Sequence, residues 1–114
     1  MQPSEEAQAL LDEASGDLAV GALEEAVAKY RQSVALDPTF FDGWHALGMA
    51  LLKSGQLKEA IGAGLMAVTL RPNDLLAWTS LSQMYVKNAQ IPEAEDAKQK
   101  ARILSLGGKV VKEA

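Results

Sequence analysis

Apolar residues recur along the chain three and four positions apart, as in Trp44, Leu47, Leu51 and again Trp78, Leu81, Tyr85. That spacing gathers them on one face of a helix, whereas a half-buried strand requires strict alternation. Polar punctuation divides the pattern. Pro cannot continue a helix and pushes its predecessor out of the α region, so Asp37-Pro38 and Arg71-Pro72 end helices. Ser54-Gly55 and Asn88-Ala89 fall where two helices would turn back on one another. The pattern predicts six helices, over about 4–18, 22–36, 40–53, 57–70, 74–87 and 92–105.

The same pattern repeats at a fixed offset of 34 residues. Glu25, Glu59 and Glu93 stand in that relation, as do Ala26, Ala60 and Ala94, then Ser33, Ala67 and Ala101, then Leu36, Leu70 and Leu104. Between the second and third units the matches extend to Phe41 with Leu75, Trp44 with Trp78, Leu47 with Leu81, Gly48 with Ser82, Leu51 with Tyr85 and Pro38 with Pro72. A repeat of this length is a supersecondary unit that stacks on its neighbours to bury a continuous core. Each unit is therefore expected to be a pair of amphipathic helices, small residues allowing close approach and large ones filling the space between pairs.

The run Trp44-x2-Leu47-Gly48-x2-Leu51, followed by Ala60, Ala67 and Pro72, resembles the tetratricopeptide repeat. Trp78-x2-Leu81-Ser82-x2-Tyr85, with Ala94 and Ala101, restates it, and Ala26-x3-Tyr30 with Pro38 matches its second half. The first helix is degenerate. There Leu11, Ala14, Ser15 and Leu18 reproduce the motif's spacing with smaller residues if the turn after them is one residue longer than in the other units. The resemblance implies an all-α, right-handed α-solenoid of three helix-turn-helix hairpins in one domain, 1–106, with repeats of about 7–38, 39–72 and 73–106 and a short tail, 107–114.

Composition narrows the function. Eleven basic and fifteen acidic residues give a net charge of -4, the wrong sign for neutralising nucleic acid. There is no cysteine and only one histidine, His45, so neither a nucleophilic triad nor a Cys/His zinc site is expected. The glycine-bearing segments Gly62-Ala-Gly64 and Gly107-Gly108 lack the spacing of a phosphate loop. The expectation is a protein with no catalytic residues, cofactor or metal. The opening Met1-Gln-Pro-Ser-Glu-Glu is acidic where a secretory signal is basic, and no stretch is apolar enough to span a bilayer, so a cytoplasmic, soluble protein is expected.

The resemblance implies that the first helix of each hairpin lines a concave groove for a partner peptide or amphipathic helix. By helical phase the second unit would supply Asp42, His45, Met49, Leu52 and Lys53, and the third Leu76, Thr79, Gln83, Val86 and Lys87. An apolar strip of Met49, Leu52, Leu76 and Val86, edged by two lysines, suits such a guest. One subset of the family grips the C-terminal carboxylate of chaperones with Lys, Asn and Arg. The matching positions here hold Ala46, Leu76 and Ser80, so that clamp is not expected. The function implied is a protein-binding adaptor. The alternative is a structural subunit, of a larger complex or a homo-oligomer, using the apolar groove or the Gly62–Gly64 face as a permanent interface.

Three local expectations complete the picture. The charged run Glu93 to Arg102, with Lys98 where the first unit has Tyr30, makes the last helix a polar cap that stops the array after three units. Two glycines inside one helix each cost about 1 kcal/mol against Ala. Gly62 and Gly64 therefore imply either close approach of a neighbouring helix or Trp78, or a hollow at Gly64 that a partner fills. If Gly64 has slack, Gly64→Ala is expected to stabilise. The tail after Gly107-Gly108 is expected to fray, with docking through Val110-Val111 as the alternative.

Overall fold

The computed structural model describes residues 4–112. Met1 to Pro3, part of the acidic opening, and the tail's last two residues lie outside the described residues. Among these the chain forms six helices: α1 (Glu5–Ala19), α2 (Leu23–Leu36), α3 (Phe41–Lys53), α4 (Leu57–Leu70), α5 (Leu75–Lys87) and α6 (Ile91–Ser105). Each starts and stops within one residue of the predicted boundary. Ser4 and Asp74 cap α1 and α5, their side chains accepting from Ala7 N and Ala77 N.

The helices pair as three hairpins, α1 with α2, α3 with α4 and α5 with α6, and each hairpin packs on the next through α2 against α3 and α4 against α5. The backbones of α1 and α3, and of α3 and α5, also come together, whereas those of α2, α4 and α6 do not meet one another. The row of first helices therefore runs along the inner arc of an all-α solenoid. Its core is built of Ala26, Ala60 and Ala94, each at most 2 % exposed, with Tyr30, Leu51, Leu81 and Met84 as the large buried side chains. Trp44 and Trp78 have equivalent surroundings: their indole N–H groups donate to the carbonyls of Pro38 and Pro72, at 2.8 and 2.7 Å.

The first hairpin keeps the 34-residue register through its turn, contrary to the expectation of an extra residue. Gly21, Gly55 and Ala89 carry the positive φ at the three turns (84, 80 and 59°). At each, the next residue's N–H reaches back to close the helix end: Ala22 to Asp17 O, Gln56 to Leu51 O and Gln90 to Tyr85 O, at 2.8, 3.0 and 2.9 Å. Three identical Schellman turns leave no room for an insertion. Ala14 thus stands in register with Gly48 and Ser82, and Asp17 with Leu51 and Tyr85. Asp17 is accommodated there by an ion pair to Lys29 Nζ at 2.7 Å.

At Gly64 the close approach of a neighbouring helix holds, and the slack that would let Gly64→Ala stabilise does not. Gly64 is buried, and a Cβ added to it would lie 2.9 Å from Met84 Sδ and 3.1 Å from Leu81 Cδ1. The neighbour that requires the glycine is α5, through these two side chains and not Trp78. There is no hollow, and Gly64 offers no surface to a second molecule, which removes it from the Gly62–Gly64 interface envisaged above. Gly62, two residues away on the helix's outer side, is exposed with nothing near its missing Cβ.

The tail does not fray over its described part. Asn73 Oδ1 accepts from the N–H groups of Val110 and Val111, at 2.9 and 3.0 Å, and its Nδ2 donates to Val111 O at 2.7 Å. The side-chain amide imitates a strand neighbour and straps residues 110–111 beside the turn that follows α4.

Candidate functional site: the inner row of helices

The inner surface is made by α1, α3 and α5. Of the residues assigned to it on α3, Asp42 and Lys53 are exposed at the two ends of the helix, and His45, Met49 and Leu52 are half-buried. Met49 and Leu52 pack against the core cluster. His45 is held on both sides. Its Nε2 lies 3.1 Å from Ser80 Oγ on α5, and its ring stacks on Phe41 with centroids 5.9 Å apart. Arg71, at the end of α4, covers that same Phe41 ring at 4.3 Å. The histidine is therefore part of the seam between the second and third hairpins.

On α5 the assigned residues are more open. Leu76 is 61 % exposed and Val86 54 %, with Gln83 and Lys87 exposed and Thr79 half-buried, its hydroxyl donating to Leu75 O at 3.0 Å. Thr79, Gln83, Val86 and Lys87 come together, with Ser82 of α5 and Glu95, Lys98 and Ala101 of α6, around a depression of about 400 Å3. At the equivalent positions of the second hairpin, Gly48, Gly64 and Ala67 are buried, the two glycines beneath Met84 of α5. The α5 residues thus border two surfaces, the inner arc and the outer face of the last hairpin. Leu76, Asp42, His45 and Lys53 line no part of that depression.

The inner row has a third contributor that reading the motif spacing missed. With the 34-residue register unbroken, Leu11, Ser15 and Leu18 of α1 share the phase of His45, Met49 and Leu52. The signal was available in the spacing of Gly21, Gly55 and Ala89. Ser15 Oγ lies 3.0 Å from the hydroxyl of Tyr30, so this serine ties α1 to α2. The apolar strip then runs across all three units: Leu11 and Leu18, Met49 and Leu52, Leu76 and Val86. Its polar border differs between ends, with Gln8 and Asp12 on α1 (hydrogen-bonded at 3.1 Å) and Lys53 and Lys87 at the last turns of α3 and α5.

No helix among the described residues is long and apolar enough to cross a membrane. The family model described as a TPR repeat matches residues 18–55. No curated protein matches the sequence. Among solved structures, a crystal structure of MamA superposes with a TM-score of 0.84 at 21 % identity, over 89 % of this chain and 59 % of that one. The CopN-Scc3 complex aligns with a TM-score of 0.84 at 23 % identity, over 89 % of this chain and 59 % of that one. The second TPR of Spaghetti (RPAP3), bound to an HSP90 peptide, aligns with a TM-score of 0.82 at 21 % identity, over 88 % of this chain and 93 % of that one. The chain thus spans little more than half the length of the first two, and identities this low speak to the fold. The family model covers a third of the chain, and together with the unbroken 34-residue register, the paired Trp anchors and these superpositions it gives the chain the fold of a tetratricopeptide-repeat array.

Proposed function

We propose that the chain is a protein-binding adaptor whose inner arc receives a mostly apolar peptide or amphipathic helix from a partner. The observation that carries this reading is the apolar strip to which all three hairpins contribute, with Leu18, Leu52 and Val86 at equivalent positions. Strips of this kind take the apolar face of a helix, with anchors at every third or fourth residue of the guest. Met49, with its adaptable thioether, suits a guest whose shape is not rigidly prescribed.

The chemistry of the border separates this guest from the peptide in one structural neighbour. That repeat domain carries an HSP90 peptide. The places that the family resemblance assigns to a carboxylate clamp hold Ala46, Leu76 and Ser80 here, so an acidic tail would meet no cation at them. A guest with an apolar face fits better. No residue set on the inner arc has the nucleophile, base and orienting group that a catalytic reading requires, so binding is the activity proposed.

Substituting Met49→Glu together with Leu76→Glu places two charges in the strip. The outer-side variant Lys58→Glu, at an exposed position on α4, serves as the control. Proteins retained from an extract of the source cells by the unmodified chain and by Lys58→Glu should be lost with the groove variant, provided circular dichroism shows it folded. Retention of the same proteins by all three would remove the groove from consideration.

A further inference from the structure

The seams between hairpins follow a size rule. Where α5 meets the second hairpin, Met84 fills the space above two glycines: a Cβ on Gly64 would lie 2.9 Å from its Sδ, and one on Gly48 2.8 Å from its Cε. At the seam between the first and second hairpins the sizes are exchanged. Tyr30 stands at the Gly64 position and Ala50 at the Met84 position, and they are 2 % and 1 % exposed. Each seam therefore joins one large and one small residue at these two places.

The two outer faces of the stack hold the remaining members of the same series. Lys98 occupies the Tyr30/Gly64 position on α6, and Gly16 occupies the Ala50/Met84 position on α1. Both are exposed, and nothing lies within 4 Å of a Cβ built on Gly16. Large again faces small. Glu13 takes the position of Leu47 and Leu81, and Leu81 Cδ1 would be 3.1 Å from a Cβ on Gly64. Carried forward one repeat, that proximity sets Glu13 beside Lys98. The same translation of the His45–Ser80 contact sets Thr79 against Asp12.

Charge agrees with shape. Among the described residues, the outer face of the last hairpin presents Lys87, Lys98 and Arg102 around Glu95. On the outer face of the first hairpin Asp17 is paired with Lys29, leaving Asp12 and Glu13 as its excess charge. The charge that keeps α6 wet also makes its face complementary to α1.

We infer that the outer face of α5 and α6 docks on the outer face of α1 of a second copy, continuing the 34-residue stack from molecule to molecule with Lys98 against Glu13. Such an interface is heterologous, so it builds open head-to-tail chains and not closed pairs. Its polar character makes the association weak and sensitive to salt. The seam shares Thr79 and Lys87 with the groove but neither Met49 nor Leu76, so the groove variant separates the two readings.

Sedimentation at increasing concentration tests it. At low ionic strength the average mass should climb continuously above the monomer's 12.2 kDa, and about 0.5 M salt, with a Debye length well under 10 Å, should reverse the climb. Lys98→Glu alone and Glu13→Lys alone should each stay monomeric, because every seam then opposes like charges. An equimolar mixture of the two variants should associate again, since alternating molecules restore opposite charges at both kinds of seam. The Met49→Glu, Leu76→Glu variant should associate like the unmodified chain. Monomer mass at every concentration, a mass that stops at a closed dimer, single variants that associate normally, or a mixture that fails to recover would each overturn the inference.

Discussion

Two glycines two residues apart on α4 illustrate how differently one residue type can act at the residue scale. Gly62 faces solvent, so Gly62→Ala gains the helix propensity of alanine, about 1 kcal/mol, at no steric cost. Gly64 faces Met84 and Leu81 in a seam without free space. There the same substitution adds overpacking strain of roughly 1–3 kcal/mol against the same propensity gain. Urea unfolding should accordingly show Gly62→Ala stabilised and Gly64→Ala destabilised by about 1 kcal/mol. In a Met84→Ala background the effect of Gly64→Ala should change sign, because the added methyl then enters the cavity left by the thioether. A loss that persists without Met84 would mean that something other than this contact requires the glycine.

At the scale of the element, the turns within the hairpins are the most regular feature. All three close with the same pair of backbone hydrogen bonds and one residue in the left-handed region. Glycine meets that requirement in the first two, and Ala89 meets it in the third at φ 59°. A residue with a Cβ pays roughly 1–2 kcal/mol for this conformation, while glycine loses about 0.4–1 kcal/mol more chain entropy on folding. Ala89→Gly should therefore raise stability by about 0.5–1 kcal/mol, a melting shift of about 2–4 °C for a chain of this size. No shift, or a lower melting temperature, would show that the third turn is not strained. The strap formed by Asn73 is of a different kind: it uses a side-chain amide to hold an extended segment that has no strand to pair with.

Among the described residues the hairpins are joined to one another by apolar seams and, between the first and the second, by an exposed ion pair. Arg31 of α2 donates through Nε and Nη2 to both carboxylate oxygens of Glu59 on α4, at 2.8 and 2.7 Å. The hydrogen bond from Arg31 holds the Glu59 carboxyl below its ordinary value, and the carboxylate in turn raises Arg31. A carboxyl with a lowered folded value binds its proton more weakly in the folded chain than in the unfolded one. Its contribution is therefore present above the unfolded pKa of 4.5 and disappears as pH falls through the lower folded value. With the side chains 44 % and 45 % exposed, solvent screening limits the pair to about 0.5 kcal/mol. Arg31→Ala should cost that amount near neutral pH and less near pH ~2, as measured by urea unfolding at the two conditions. Equal losses at both would assign the effect to the arginine's packing.

Periodicity alone determined the six helices, their ends, their pairing and the number of units, because those depend on which residues must share a face and where the backbone cannot continue. Trp44 and Trp78, 34 residues apart, predicted equivalent environments and have them. Conformational need at the turns was also written in the chain, since Gly21, Gly55 and Ala89 carry the repeat spacing even where the first helix has lost the motif's large residues. What only the tertiary structure decided is which side of a packed position supplies the volume. A glycine in a helix reads the same from sequence whether solvent or Met84 stands above it, and Val111 reads as tail until Asn73 is brought beside it. Steric complementarity belongs to pairs of residues from different elements, and a one-dimensional pattern lists the members of those pairs without saying who meets whom.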